Sequence, residues 1–397
     1  MRQKIIIISI LLLTAINFFY NAVYKPLKKN VFYDYRALYA AGIEARSVNP
    51  QLYKSIIYRK TGFGYLPVIS LLFIPQTYLT EETAVKLWFA INIIFLIAMI
   101  FLILKINRLL FYRDYKLITF VAVLNFNPVF ETIKWGQVNI IVYCLMLGSL
   151  YFYLLNRKLF TSILLGTAII FKVIPGLLIL YFLIRKEFKI VFLTFVTMLF
   201  FLGISISIFG INLHKDYFTV KLPGASKFGY KGDIYDQSFQ GMSFRLFWGD
   251  NGYTNSWIDN FNFSKRVSSF LRIGALLTLI IFLFNRKKNN DNKIKSLEFA
   301  LTIVTIHLFH SLSWEHHFVW SLYLYILLFI ILREFNFEKK IFYAVIISFI
   351  VVAAKYGYDN KFFCSGIMIL FTGIKLYGII ILWAAGLLTL KKLRVIS

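Results

Sequence analysis

Groups that can carry out chemistry are few in this sequence, and most of them lie in polar segments between long apolar runs. Beside or within a membrane, an ionisable or amide side chain is costly unless it is paired or faces a watery cavity, so a cluster of such groups indicates a functional site. A carboxylate together with lysine, arginine, amide and imidazole groups suits proton transfer beside a bound anion. The candidates are Asp34, Lys134, Gln137, Asn139, Lys172, Asp236, Gln237, Arg245, Ser313, Trp314, Glu315, His316 and His317.

Asp34 follows the first apolar run and has aromatic neighbours, Tyr33 and Tyr35, on both sides. A partly desolvated carboxylate tends towards a raised pKa and can take a proton from an alcohol as a general base. The alternative is a structural carboxylate that caps a helix or pairs with Arg36. The spacing alone leaves both interpretations open.

Lys172 lies inside the apolar stretch 159–184 without a carboxylate nearby in the sequence, so an anion from elsewhere is a natural partner for it. Phosphate is the obvious anion, and the alternative is a lysine that snorkels to the headgroups. Arg245 is either a phosphate clamp or a loop anchor. Gln137 and Asn139 follow Gly136, where amides either bind a sugar or cap a helix.

Four of the five histidines, at positions 307, 310, 316 and 317, fall within eleven residues. Three explanations are open: a metal site, imidazoles at the membrane interface, and donors to an anionic substrate group. Zinc sites use three or four ligands with defined supporting groups. We rank a metal lowest because only Glu315 accompanies the histidines, and no metal site is predicted.

The composition excludes soluble, disordered and fibrous proteins. Of 397 residues, 59% are hydrophobic and 16% are charged, and the apolar runs reach the length of about 20 residues that crosses a membrane. Lysine and arginine number 44 against 18 acidic residues, a net charge of +26. Cys144 and Cys364 are far apart inside apolar stretches, so neither a disulfide framework nor a cysteine metal site is available.

Basic clusters between the apolar runs favour the cytoplasmic side and set the predicted topology. They predict one integral membrane module, 1–397, an all-α bundle of about twelve spanning helices with both termini in the cytoplasm. The candidate segments then lie on the outer face, with two long outer loops at about 25–82 and 212–266. The clusters are 105–116, 157–158, 185–189, 286–295, 333–340 and 391–394.

Four segments carry more specific predictions. The stretch 159–184 is expected to form a hairpin of two short helices broken at 171–176, where Pro175 lacks a backbone donor. The stretch 362–390 contains Lys375 and is either one tilted helix or a short re-entrant piece followed by a span. We expect a helix over 34–45, and an interfacial segment over 65–78, which is too short to cross.

The order of these segments resembles glycosyltransferase family 87 (GT87), the polyprenol-phosphate-mannose-dependent mannosyltransferases, which belong to the GT-C fold class. The resemblance covers about residues 30 to 320. Where the family usually has Asn-Gln-Ser, this chain has Asp236-Gln237-Ser238, which leaves the role of Asp236 open. The motifs that carry the resemblance to family 87 are Asp34, Tyr65-Leu66-Pro67, Gly136-Gln137-Val138-Asn139, Phe171-Lys172-Val173-Ile174-Pro175, Asp236-Gln237-Ser238 with Arg245, and Ser313-Trp314-Glu315-His316-His317.

This resemblance implies a GT-C type bundle that transfers a hexose, expected to be mannose, from a polyprenyl phosphate sugar to a lipid or glycan acceptor with inversion. The reaction would occur on the outer face of a bacterial plasma membrane, without a cofactor or metal. Asp34 would be the general base, and the donor phosphate would be held by Lys172, Arg245, His316 and His317. The expected sugar-binding residues are Gln137, Asn139, Gln237, Tyr33, Trp135 and Trp314.

Two other functions remain open at the level of sequence. A transporter or lipid-linked glycan flippase would also carry charged groups in a cavity, but such proteins usually bind substrate near the midplane between repeated halves. No repeat is visible here. A glycan ligase or polymerase would use a lipid diphosphate donor, so the donor distinguishes it from the monophosphate reaction.

Overall fold

The computed structural model describes residues 2–53, 63–249, 253–284, 291–357 and 360–396. As the apolar runs predict, these residues form a helical bundle, and it contains eighteen α-helices. The first nine helices are α1 (Arg2–Phe18), α2 (Lys25–Lys29), α3 (Tyr33–Glu44), α4 (Pro67–Leu71), α5 (Glu81–Leu110), α6 (Lys116–Leu124), α7 (Asn127–Trp135), α8 (Asn139–Leu154) and α9 (Lys158–Phe171). The other nine are α10 (Leu177–Ile184), α11 (Phe188–Asp216), α12 (Leu222–Phe228), α13 (Phe239–Phe247), α14 (Phe261–Phe284), α15 (Asn292–Phe309), α16 (Leu322–Glu334), α17 (Lys339–Ala353) and α18 (Ile374–Ile396).

Six helical stretches in the described residues are long and apolar enough to cross a membrane, and a seventh is added if α6 and α7, bent by 53°, form one span. Several other apolar helices are shorter, among them α8, α9 and the stretch Ile174–Ile184. The chain is therefore an integral membrane protein by the length and composition of its helices. The six are Ser9–Lys29, Glu81–Leu110, Phe188–Lys231, Phe261–Phe284, Glu315–Glu334 and Gly366–Val395.

The break predicted inside 159–184 is confirmed. Helix α9 ends at Phe171, Lys172 has an extended backbone, and a 3-10 turn (Ile174–Gly176) with a buried Pro175 leads into α10. Lys172 thus lies outside any helix, at the point where the two arms meet.

Of its two predicted forms, the C-terminal stretch is nearer the single helix, because Gly366–Val395 is one helical stretch long and apolar enough to cross a membrane. Two 3-10 segments, Lys361–Cys364 and Gly366–Gly373, precede α18. Lys375 is fully buried at the start of α18 and forms an ion pair with Glu315. This partner explains how an ammonium group is accommodated inside an apolar stretch.

The segment 65–78 does not cross the bundle, as its length predicts. It forms α4 and a 3-10 turn (Ile74–Tyr78), and α4 is buried in the protein at Val68 and Ile69. Both pieces pack against α3, the helix that carries Asp34. The segment therefore supports α3, and a helix over the predicted range 34–45 is confirmed.

Gly136 brings α3 close to the turn between α7 and α8. Its φ of 69° is in the left-handed region that favours glycine, and a Cβ there would lie 2.6 Å from the Cβ of Tyr35. Trp88 of α5 donates a hydrogen bond to the Gly136 carbonyl oxygen at 2.8 Å. This close approach sets Gln137, the next residue, beside the first turn of α3.

The histidine segment is a 3-10 helix (Glu315–Ser321) that packs on α7 and α8. Thr132 and Asn139 both donate hydrogen bonds to the His316 carbonyl oxygen at 3.0 Å. Trp320 returns a hydrogen bond to the Asn139 carbonyl oxygen at 2.9 Å. These bonds fix the backbone from which His316 and His317 project.

Candidate active site

A chain of polar contacts joins Asp34, Gln137, Lys172 and His317. Gln137 Nε2 donates to Asp34 Oδ2 at 2.8 Å, and Gln137 Oε1 accepts from Lys172 Nζ at 3.5 Å. Lys172 Nζ also lies 3.2 Å from His317 Nε2. Residues from α3, the α7–α8 turn, the α9–α10 break and the histidine segment thus converge on one place.

Gln137 is the one hydrogen-bond partner of the Asp34 carboxylate among the described residues, and it bonds only Oδ2. Asp34 Oδ1 therefore remains open to another proton donor. Tyr65 also contacts the amide, since its hydroxyl donates to Gln137 Oε1 at 3.2 Å. Gln137 consequently orients the carboxylate while it is itself oriented by Tyr65 and Lys172.

The ring of His317 presents a hydrogen-bond donor towards Lys172. His317 Nδ1 accepts from the Trp314 backbone N–H at 3.3 Å, which leaves the proton of the neutral imidazole on Nε2. That N–H and a charged Lys172 ammonium, 3.2 Å apart, are both donors. An acceptor that bridges them, such as a phosphate oxygen, would satisfy both.

A cavity of about 220 Å³, here called the lysine cavity, lies around these groups. Its wall includes Asp34, Gln137, Lys172, His316 and His317. His316 Nε2 is buried without a hydrogen-bond partner among the described residues. The lysine cavity therefore offers the Lys172 ammonium and the imidazoles of His316 and His317 to a ligand, and His310 is a third imidazole in its wall.

The lysine cavity continues into an apolar groove of about 480 Å³. Val173, Ile174 and His310 line both, and the groove runs beside α10 and the end of α15 along Leu177, Leu180, Leu183, Ile306 and Phe309. Its lining is hydrocarbon apart from His310. The groove suits a long apolar chain whose polar end lies at Lys172.

A second cavity of about 550 Å³, here called the aromatic cavity, lies on the other side of Asp34. Asp34, Trp314 and His316 line both cavities. The remaining wall combines aromatic rings with charged groups, which is a common combination for binding a polar ring-shaped ligand. These other residues are Glu131, Lys134, Trp135, Asp233, Tyr235, Glu315, Lys355, Tyr356 and Gly357.

Burial shifts the pKa values of Asp34 and Lys172, the two charged groups of this chain of contacts, in opposite directions. Burial raises the pKa of Asp34, although the Gln137 hydrogen bond and the Lys172 charge act the other way. Burial lowers the pKa of Lys172 to about 7, although the Asp34 charge acts the other way. An anionic group of a substrate beside Lys172 would raise the pKa of the lysine again, because a nearby negative charge favours the charged ammonium.

Arg245 is fully buried in the loop 212–266 and does not line either cavity. Its guanidinium donates to the carbonyl oxygens of Asp233 and Asp236 at 2.6 and 2.8 Å and to Thr372 Oγ1 at 2.9 Å. Of the two predicted roles, these contacts favour the loop anchor over the phosphate clamp.

Asp236, the departure from the usual motif, is also fully buried. Its Oδ1 accepts from the Ser313 and Ser238 backbone N–H groups at 2.8 and 3.0 Å, and the Ser238 hydroxyl donates to its Oδ2 at 3.0 Å. Burial raises its pKa to about 6, although these hydrogen bonds and the Arg245 charge act the other way. Asp236 therefore ties the long loop to the histidine segment.

Two predicted sugar-binding amides lie outside both cavity walls. Gln237 is buried and its Nε2 donates to the Thr372 carbonyl oxygen at 2.7 Å, while Asn139 supports the His316 backbone. Tyr33 is 55% exposed, with its ring centroid 5.7 Å from that of Trp135 at the rim of the aromatic cavity. The structure thus brings Tyr33 near the site and gives the two amides supporting positions.

No group of three or more His, Cys, Asp or Glu residues that could hold a metal ion occurs in the described ranges. His307 lies against Phe318, with ring centroids 5.1 Å apart, and His310 Nδ1 donates to the Leu312 carbonyl oxygen at 2.6 Å. Burial lowers the pKa of His310 to about 4. These two imidazoles are neutral packing groups, one of them in the wall of the lysine cavity.

Several residues of the site were not singled out from the sequence. Tyr65 appeared only as part of a motif, and two acidic residues of the aromatic cavity, Glu131 and Asp233, were overlooked. Glu131 accepts hydrogen bonds from Lys134 Nζ at 2.7 Å and from Trp135 Nε1 at 2.9 Å. A signal was present, because Glu131 is an acid three residues before a lysine within a short apolar helix.

Comparison with known families matches residues 63–311 to the model of glycosyltransferase family 87. This range is more than half of the chain. The chain belongs to glycosyltransferase family 87. The resemblance predicted from the order of the motifs is confirmed, and no solved structure matches the chain.

Two curated relatives share 25% identity with this family 87 chain. One, from Mycolicibacterium smegmatis, is a polyprenol-phosphate-mannose-dependent alpha-(1-2)-phosphatidylinositol mannoside mannosyltransferase, matched over 51% of this chain and 43% of the relative. The other, from Mycobacterium tuberculosis, is the corresponding phosphatidylinositol pentamannoside mannosyltransferase, matched over 49% and 41%. The matches therefore span less than half the length of each relative.

The family match begins after Asp34 and ends before His316 and His317. Gln137 and Lys172 lie inside it. The hydrogen bond from Gln137 to Asp34 and the contact from Lys172 to His317 connect the matched region to these flanking residues. The assignment of the flanking residues to the site rests on this geometry.

Proposed function

We propose that the chain is an inverting glycosyltransferase that moves a hexose, mannose, from a polyprenyl phosphate sugar to a hydroxyl group of a lipid or glycan acceptor. The observation that carries this proposal is the position of Asp34 in the wall of both the lysine cavity and the aromatic cavity. A base at such a junction can take a proton from an acceptor in one cavity while a sugar is held in the other. Membership of family 87 and the donor named for both relatives support the choice of donor.

In the proposed reaction Asp34 removes the proton of the acceptor hydroxyl as its oxygen attacks the anomeric carbon. The bond between that carbon and the phosphate oxygen breaks, and its electron pair stays on the phosphate. Attack from the face opposite the phosphate inverts the anomeric configuration. The products are the glycosylated acceptor, polyprenyl phosphate and a proton on Asp34.

Lys172, His316 and His317 are proposed to hold the donor phosphate. Negative charge grows on the phosphate oxygens as the bond breaks, and preorganised donors in a site away from water stabilise that charge. The 3.2 Å pair of Lys172 Nζ and His317 Nε2 supports this role, as does the unpartnered Nε2 of His316. The cationic groups also make a divalent metal unnecessary, so we propose transfer without a metal or cofactor.

The apolar groove is proposed to receive the start of the polyprenyl chain. It meets the lysine cavity at Val173 and Ile174, next to Lys172. A phosphate at Lys172 would therefore have its lipid chain against hydrocarbon side chains. This continuity favours a lipid-linked donor over a soluble one.

The aromatic cavity is proposed to receive the acceptor. Trp135, Tyr235, Trp314 and Tyr356 offer ring faces for stacking on sugars, and Glu131 and Lys134 offer hydrogen bonds to hydroxyl groups. Its volume of about 550 Å³ leaves room for more than one sugar ring. A carbohydrate headgroup is thus the part of the acceptor that this cavity suits.

The proposal includes the GT-C type architecture, with about twelve crossings when the shorter apolar helices are counted. It also places the active site on the outer face of a bacterial plasma membrane, with both termini in the cytoplasm. The excess of lysine and arginine in the connections at the opposite end of the bundle supports this orientation. Cysteine-scanning accessibility in intact cells would test it.

The function is tested by incubating purified protein with labelled polyprenyl phosphate sugars and total membrane lipid, and by identifying the product. We expect label from polyprenyl phosphate mannose in a glycolipid or glycan, with inverted configuration and no loss on addition of EDTA. Movement of intact donor across a vesicle without transfer would indicate a flippase. Use of a lipid diphosphate oligosaccharide in place of the monophosphate would indicate a ligase, and either result would overturn the proposal.

A further inference from the structure

A separate cavity lies at the far end of α5, in the turn that leads into α6. Its volume is about 380 Å³, and Arg108 in its wall is twenty residues along α5 from Trp88, which contacts the Gly136 carbonyl oxygen beside the active site. At 1.5 Å per residue this separation is about 30 Å, the thickness of the hydrocarbon core of a bilayer. The cavity therefore lies at the opposite membrane surface from Asp34 and is no part of the transfer site.

Four cations line this cavity: Lys105, Arg108, Arg113 and Lys116. Asp114 is the one carboxylate in its wall and pairs with Lys116 at 2.7 Å. Arg113 reaches Glu334 only at 3.9 Å, and neither Lys105 nor Arg108 has an ion pair within the described residues. The cavity keeps a positive excess that its own acidic residue does not cancel.

Asn107 adds a polar group that lacks a partner. It is 3% exposed, it lines the cavity, and neither its Nδ2 nor its Oδ1 finds a hydrogen-bond partner in the described part of the chain. An amide left unbonded in such a position is unfavourable, whereas a ligand with donor and acceptor oxygens would satisfy it. The cavity thus has both charge and a fixed hydrogen-bonding group for a polar ligand.

The lower wall of the cavity is apolar and continues onto the outside of the bundle. Phe101 lines the cavity and is 57% exposed, and Ile97 and Ile94 follow on the same face of α5 at 62% and 63% exposed. This strip faces lipid, and the fully exposed Tyr112 above it suits the membrane interface. A ligand with a phosphate above and hydrocarbon below would match the cavity, whereas a free phosphate would use only its upper half.

We propose that this cavity binds the headgroup of an anionic phospholipid from the leaflet opposite the active site. The phosphate lies among Arg108, Arg113 and Lys116, a headgroup oxygen bonds the Asn107 amide, and an acyl chain follows the strip of Phe101 and Ile97. Basic clusters at a membrane surface attract anionic lipid through several such cations at once. The bound lipid fixes the corner between α5 and α6.

Native mass spectrometry of the full chain, purified in detergent and titrated with phosphatidylglycerol or phosphatidylcholine, tests this site. We expect retention of phosphatidylglycerol in preference to phosphatidylcholine. The Arg108→Gln/Arg113→Gln double variant should weaken phosphatidylglycerol binding about tenfold or more, since each cation near the surface contributes separately. The matched control is Lys339→Gln/Lys340→Gln, two exposed lysines at the start of α17 that lie outside the cavity, and it should bind as the parent does.

The rate of sugar transfer is measured for each variant in the same preparation, because retained transfer shows that the variant is folded. Equal phosphatidylglycerol retention by the parent and the double variant would overturn the proposal. The proposal would also be overturned if millimolar inorganic phosphate displaced the lipid and if phosphate alone raised the melting temperature as much as the lipid does. That result would show a site for a free anion. If the lysine control lost as much phosphatidylglycerol binding as the arginine double variant, the loss would come from the lower net charge of the protein. That result would contradict a specific lipid site in the cavity.

Discussion

Two polar clusters lie at the two ends of the short helical arm Ile174–Ile184, and they are satisfied to very different degrees. At one end, Arg185 and Arg394 both bond the buried carboxylate of Glu298, at 2.8 and 2.7 Å, and so join three helices. At the other end, Lys172 Nζ lies 3.5 Å from the Gln137 amide oxygen, 3.2 Å from His317 Nε2 and 5.8 Å from the Trp320 ring centroid, and it has no ion pair among the described residues. In the first cluster the protein itself supplies both cations to the carboxylate, whereas the second presents donors that an anion would satisfy.

The difference separates a structural ion-pair network from a binding site in the same bundle. A buried carboxylate held by two arginines leaves no position for a substrate, and its removal leaves buried charge without compensation. A buried cation with long contacts and a cavity beside it lowers the stability of the protein without ligand. Binding of an anionic substrate supplies the missing partner and stabilises the cluster. The following substitutions test this distinction, from the largest expected effect to the smallest.

Asp34→Asn should lower turnover by roughly 10²–10⁴, the range for loss of a positioned base. The amide can still bond Gln137, so thermal stability and donor binding should stay near those of the parent. Turnover is measured with labelled donor and extracted product, beside Asp259→Asn, an exposed aspartate of the long loop. Near-normal transfer by folded Asp34→Asn would remove Asp34 from the mechanism.

Glu298→Gln should lower the free energy of unfolding by about 3–5 kcal/mol, because two buried guanidinium groups lose their carboxylate. The rate of transfer per folded molecule should change little. Thermal melting in detergent measures the effect, with Glu338→Gln as control, since the Glu338–Lys392 pair is exposed to solvent and contributes little to stability. An unchanged melting temperature with reduced transfer would reverse the roles of the two clusters.

Lys172→Gln should lower kcat/KM for the polyprenyl phosphate sugar by about 10² or more, because the phosphate loses its cation in a site away from water. His317→Asn should cost less, since the ring supplies one neutral donor. Both proteins should stay folded. If Lys172→Gln matches the parent across donor concentrations, the lysine is only a membrane anchor.

The pH dependence of kcat/KM should show the titration of Lys172. Burial lowers its pKa to about 7 in the free enzyme, so the charged form that binds phosphate is lost as the pH rises through that value. We expect kcat/KM to fall by up to tenfold per pH unit above about 7. Lys172→Arg stays charged and should remove this alkaline fall, and an unchanged profile in that variant would assign the titration to another group.

Asp236→Asn should have the smallest effect, confined to stability. The folded carboxyl keeps its proton up to about pH 6, whereas the unfolded one releases it near 3.8, so the folded state binds more protons between these values. The free energy of unfolding of the parent therefore falls as the pH rises from about 4 to 6. Thermal melting should show this fall as a few degrees relative to Asp236→Asn, with transfer retained in the variant, and identical pH profiles would contradict it.

The features that could be predicted from the sequence are those set by local pattern. Apolar runs predict the helical bundle, and the combination of Lys172 and Pro175 inside one run predicts the broken hairpin. The aromatic setting of Asp34 near the first apolar run correctly indicates a partly desolvated carboxylate. In each case the physical cause lies within about ten residues along the chain.

The features that could not be predicted depend on partners far apart in the sequence. Lys375 is tolerated because Glu315, sixty residues away, pairs with it, and Arg245 is held in the loop by Thr372, 127 residues away. The aromatic cavity likewise joins α7 to residues near Tyr356. Periodicity and composition carry no information about such long-range contacts.

The most direct test of the central claim is a cryo-electron microscopy structure of the protein with polyprenyl phosphate mannose bound to Asp34→Asn. We predict the phosphate within hydrogen-bond distance, about 2.7–3.2 Å, of Lys172 Nζ and His317 Nε2. The polyprenyl chain should lie in the groove along α10, and the anomeric carbon should face residue 34. A phosphate bound beside Arg245, or a sugar held away from residue 34, would contradict the account.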